Sequence, residues 1–128
     1  MTITKTKVIP MLAEACPSFQ SAEDLLYVAL GDFAQHLLEL HQRHETVAFP
    51  AVARVIEQLH VEGDRYVREA ATIGLLEGIQ NVWGNNDVDP EIFTTHLLPE
   101  SRRWWDELNA FWRGERGYVG EGIPQERT

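Results

Sequence analysis

Apolar side chains recur along this chain at intervals of three and four residues, the period of helices buried on one face, and no stretch alternates as a half-buried strand does. The pattern is broadest over residues 61–83. There Gly63-Asp64 marks a helix start, because the Asp64 carboxylate can accept from the unpaired N–H groups of a first turn. At about 100° per residue, Val67, Ala70, Ala71, Gly74, Leu75, Gly78, Ile79 and Val82 share more than half the circumference. Glu69, Gln80 and Glu77 occupy a narrow polar strip, and Trp83 falls outside the main arc. A helix apolar over so much of its surface is contacted on at least two sides, so this one is expected at the centre of its domain. Gly74 and Gly78 each cost about 1 kcal/mol of helix propensity against Ala, a cost that a close helix crossing would explain.

The other segments read as its wrapping. Residues 5–15 predict a short helix with Val8, Met11 and Leu12 inward, ended by Cys16-Pro17. Ser21 and Asp24 have the spacing of a capping box for a long helix over residues 22–44, whose inner face is Leu25, Leu26, Ala29, Leu30, Phe33, Leu37 and Leu40. A third helix is expected to start near Thr46, with Pro50 in its first turn and Phe49, Val52, Val55, Ile56 and Leu59 as its stripe. After the Gly84–Asp87 loop, Asp89-Pro90 gives a cap and first position for a short helix. Pro99 opens a last helix with Trp104, Trp105, Leu108, Phe111 and Trp112 on one face, Trp112 being expected to stay partly exposed; Gly114 ends it. The expected architecture is all-α, a compact bundle of about five to six helices with an antiparallel helix pair at its centre. Residues 1–114 form its single domain and residues 115–128 an extended tail.

Composition narrows the function classes. At 128 residues and 44% apolar the chain can bury a core without disulfides. Its single cysteine, Cys16, forms no internal bridge, and no apolar run is long enough to cross a bilayer. A cytoplasmic protein without membrane attachment is the expectation, the N-terminus lacking a signal-peptide pattern. Net charge is −9, with −6 on residues 21–64 and −4 on residues 65–100. That placement argues against a nucleic-acid partner, which needs clustered Lys and Arg, and suits a basic protein instead.

Asp64, Val67-Arg68, Ala71 and Leu75 are similar to the second helix of a HEAT-type repeat, although no second Asp-x-x-Val-Arg copy occurs and a solenoid needs several. Phe49-Pro50, Val61-Glu62-Gly63-Asp64 and the run from Glu100-Ser101 through Trp104-Trp105 to Leu108 resemble a family of small uncharacterised bacterial proteins, over residues 16–114. The resemblance implies a HEAT-like helical fold and a bacterial origin, and no reaction. Small acidic proteins of this kind include immunity partners of secreted toxins, an analogy of class.

Candidate chemistry is sparse. His41 and His44, three apart on a helix, with His36 two turns away, raise a metal-dependent enzyme or metal sensor as one alternative. Favourable placement of imidazoles at a helix end is the preferred account of them, and of His60; His96 has no evident partner. Asp24 and Asp89 have capping roles, and no phosphate loop, nucleophile motif or zinc finger is present. We therefore expect no catalytic residue, metal or cofactor. The favoured reading is a non-enzymatic module that binds a basic partner, such as a toxin, through Glu62, Glu69, Glu77, Trp83, Asp87, Asp89 and Glu91. A structural module, paired as a homo-oligomer through its Trp-rich last helix, is the further alternative.

Overall fold

The computed structural model describes residues 2–114, so the tail expected over residues 115–128 lies outside the described residues. Six α-helical segments are found among them: α1 (Lys5–Ala15), α2 (Leu26–Gln42), α3 (Phe49–Glu62), α4 (Arg65–Glu69), α5 (Glu77–Asn85) and α6 (Pro99–Trp112). A π-helical segment, Ala70–Leu76, joins α4 to α5 into one continuous central helix, and a 3₁₀ helix, Pro90–His96, precedes α6. The described residues form no strand, so the domain is all-α. None of their helices is long and apolar enough to cross a membrane.

The central helix packs against α2, α3 and α6, as its broad apolar arc requires. Asp64 caps it, accepting from Val67 N–H at 2.9 Å. Its hairpin with α3 turns at Gly63, where a Cβ would collide with the Leu59 carbonyl and the Val67 side chain. Ile3 locks that corner: its N–H donates to the Glu62 carbonyl at 2.8 Å, and its carbonyl accepts from Asp64 N–H at 2.9 Å. Further along, Leu30 of α2 crosses so closely that a Cβ at Gly74 would come within 2.6 Å of Leu30 Cδ1. The helix-propensity cost of Gly74 is thus offset by the close approach of α2.

The π segment reorders the second half of the helix. A π turn, bonded from i to i+5, holds one residue more than an α turn, so every later position lags by about 100°. Trp83 thereby swings from the edge of the expected arc to its middle and is 0% exposed, with Nε1–H directed at the Ala34 carbonyl 3.4 Å away. Gln80 is carried from the polar strip into the packing for the same reason. Its Nε2 donates to Asn109 Oδ1 at 3.2 Å, and its Oε1 is buried without a partner.

At the start of α2 the expected capping box does not form. Ser21 Oγ accepts from Glu23 N–H and Glu23 Oε1 from Leu25 N–H, two short-range turns that delay the helix to Leu26. Leu25, assigned to the inner face, is instead 66% exposed. The third helix likewise begins at Phe49, after a turn in which Phe49 N–H donates to the Thr46 carbonyl. Phe111 is only partly buried. Trp112 is exposed as expected, and Gly114 takes the left-handed conformation that terminates α6.

Candidate functional site

Four polar side chains meet inside the helix packing. His60, on the last turn of α3, is 5% exposed; its Nδ1 lies 3.0 Å from Ser101 Oγ and its Nε2 lies 3.1 Å from Thr72 Oγ1 in the π segment. Glu57, one turn earlier, accepts at the N-terminus of α6 from the N–H groups of Glu100 and Ser101, at 3.1 and 2.9 Å, and from the Ser101 hydroxyl at 2.9 Å. Burial pushes the Glu57 carboxyl up, but those donors and the nearby His60 outweigh it and hold the group below its ordinary value. Burial also lowers the His60 imidazole to about 4, against the pull of Glu57.

The proton positions follow from donor counting. An ionised Glu57 only accepts, so the single Ser101 proton goes to it and His60 Nδ1–H donates to Ser101 Oγ. Neutral His60 is left to accept at Nε2 from the Thr72 hydroxyl 3.1 Å away, whose one proton is shared with the Arg68 carbonyl at 3.3 Å. The constellation contains Ser, His and Glu, yet its order differs from a nucleophile triad, in which the imidazole lies between the hydroxyl and the carboxylate. Ser101 is also fully buried, so no substrate carbonyl reaches its oxygen. This network joins α3, α6 and the π segment.

The carboxylates expected to form one contact surface lie at separate places. Glu62 precedes the central helix and Asp87 follows it, and a helix spanning residues 65–85 is about 30 Å long at 1.5 Å per residue. Glu69 ends α4 and Glu77 opens α5, both half-buried. Asp89 caps the 3₁₀ helix through Glu91 N–H. Glu91 accepts from Trp105 Nε1–H at 2.7 Å and from Asn109 Nδ2 at 2.9 Å, and so ties that helix to α6. Asp87 is exposed and holds a positive φ of 60°. Trp83 is in the core and is withdrawn from the contact set.

The histidines are regrouped as well. His36 Nε2 lies 2.8 Å from Ser18 Oγ, beside the Phe19 ring, in a depression also lined by Asp32 and Glu39. His41 and His44 instead line a groove of about 440 Å³ together with His96, fifty-two residues beyond His44. The proposed His36, His41 and His44 cluster is therefore divided between two places. No group of three or more His, Cys, Asp or Glu among the described residues could hold a metal ion.

Exposed apolar side chains gather elsewhere, where the starts of α2 and α4 meet α1. Tyr66 is 43% exposed and meets Tyr27 edge to face at 6.1 Å, with Lys5 Nζ 5.7 Å above its ring. Val28 lies one turn from Leu25, both exposed. Leu25, Leu26 and Tyr66 edge a depression of about 380 Å³ that also carries Glu23 and Asp24. The sequence pattern assigned Leu25 to the core, and so concealed this cluster.

Against known proteins, one family model, that of a domain of unknown function, matches residues 9–113. No curated protein and no solved structure matches the chain.

Proposed function

We propose, on the premise that the chain belongs to the DUF7674 family, a domain family of unknown function, that it is a non-enzymatic protein-binding module for a basic partner. The observation that carries this reading is the exposed cluster of Leu25, Tyr27, Val28 and Tyr66, edged by Glu23 and Asp24 with the Lys5 cation on the same depression. Tyrosines give large contact area at small conformational cost, and an apolar centre with a charged rim is the usual anatomy of a binding patch. The net charge of −9 steers a basic protein toward it and makes association sensitive to salt. Glu62, Glu69, Glu77, Asp87, Asp89 and Glu91 contribute to that field, with the contact itself centred on Tyr66. Its concrete version is a cytoplasmic immunity factor of bacterial origin that neutralises a toxin, with a HEAT-like helix pair as scaffold.

The test is site-specific photo-crosslinking from position 28, with position 87 as the control. A basic protein joined from position 28 and not from position 87 is the expected result. Crosslinks only from position 87, or only to a second copy of this chain, contradict the reading; the latter outcome favours the structural module.

A further inference from the structure

We propose that the groove between the end of α2, the start of α3 and the 3₁₀ helix is a binding site for a small aromatic carboxylate. Three imidazoles from separate elements converge there: His41 from α2, His44 from the turn that follows it, and His96 from the 3₁₀ helix. They do not form a set that could hold a metal ion, so a ligand that engages them together has several atoms. The remaining polar residues on the lining are Thr46 and Thr95, the Thr95 hydroxyl donating to the Ile92 carbonyl at 3.3 Å. No carboxylate lines this groove, whereas Glu23 and Asp24, Asp32 and Glu39, and Glu62 line three other depressions. On a protein of net charge −9 an anion in the groove thus meets imidazoles on its lining, and the neighbouring Glu45 is ion-paired to Arg43 at 4.0 Å. α3 begins at this groove; Phe49 N–H is taken by the Thr46 carbonyl and Pro50 has none, so the start of α3 contributes through the helix dipole rather than through free donors.

The apolar part of the lining selects a flat ligand. Phe49 lines the groove, and the His41 ring stacks on the buried Trp83, centroids 5.1 Å apart and planes 26° from parallel. His96 stands edge-on to Phe49 at 5.6 Å. Trp83 and Phe49 belong to the core, and a volume of about 440 Å³ lies within the range of small-molecule pockets. His44 holds a φ of 61°, a left-handed conformation that glycine adopts without cost. The left-handed turn at His44 carries the chain from the end of α2 toward α3 and sets its imidazole on the lining of the groove.

The test is NMR titration of the full chain, following the imidazole ring protons, with 4-hydroxybenzoate as the probe and benzamide and benzamidine as its neutral and cationic counterparts. Saturable shifts at His41, His44 and His96, with His36 and His60 unmoved and benzamide weaker by about tenfold or more, are expected. His44→Gly should leave the remaining spectrum native and raise Tm, yet weaken 4-hydroxybenzoate by about fivefold or more. His96→Asn should weaken it similarly. No shift at about 10 mM probe, equal binding of benzamide or benzamidine, or undiminished affinity in both variants would overturn the proposal. The protein-binding reading does not depend on the result, since Leu25 and Tyr66 lie outside this groove.

Discussion

Inside the molecule His60 has both ring nitrogens within bonding distance of hydroxyls and is sealed among three helices; at the groove His41 and His96 are half-buried and His44 is exposed. The residue type is the same, and the difference comes from what surrounds it. Burial with matched hydroxyls makes His60 a neutral connector, as its lowered pKa records. The groove imidazoles have aromatic neighbours instead, Trp83 beside His41 and Phe49 and Phe93 beside His96, and burial lowers the His96 imidazole as well. Position on a helix end, which the sequence shares between His60 and His41, does not distinguish the two roles.

The sharpest way to break this contrast is at the residue that supports the groove from the core. Trp83→Ala removes the ring beneath His41 and opens a cavity in the packing, and should cost about 3–5 kcal/mol in denaturant unfolding. A loss below about 1 kcal/mol would show that Trp83 is not the core residue described.

Acid acts mainly on the sealed side. Unfolded His60 takes its proton near 6.5, while the folded chain resists it down to about 4. Between those values the unfolded state binds more protons, so stability should fall as pH drops through that window, by roughly 3 kcal/mol. Above the window His60 adds no pH dependence. Glu57, held below its ordinary 4.5, adds a further loss at lower pH. Stability measured from pH 7 to pH 5 should therefore slope downward, and the slope should shrink in His60→Gln; equal slopes in the two proteins would remove His60 from the account.

Smaller effects sharpen the picture. Glu57→Ala leaves two N–H groups of α6 and the Ser101 hydroxyl without their acceptor, a loss of about 2 kcal/mol by chemical denaturation. His44→Gly works in the opposite direction, gaining about 0.5–1 kcal/mol through relief of its positive φ. A destabilised glycine variant would mean that the His44 side chain holds the turn together.

The helical architecture was legible because its main signals are local. Val8 and Leu12 repeat on α1, Asp64 caps the central helix, and Pro99 opens α6. The π segment was not legible, since an α period applied through residues 70–76 puts Trp83 at the arc's edge and Gln80 on the wet side. The Ser21–Asp24 spacing misled because competing turns bind Ser21 and Glu23 before the helix begins. At the candidate sites, the i, i+3 spacing of His41 and His44 showed half of the groove. His96 joins them only through tertiary folding, as Ser101 joins His60 from forty-one residues away.

The central claim is that Leu25 and Tyr66 form the heart of a docking surface for a basic protein. Its most direct measurement is the affinity of the crosslinked partner, by calorimetry at low and high salt, for the native chain and for Leu25→Glu/Tyr66→Glu. Both substituted side chains are exposed, so the fold should persist. Affinity for the native chain should weaken with salt, and the double variant should lose about a hundredfold or more. An unchanged affinity in that variant, with the partner still bound, would contradict the account.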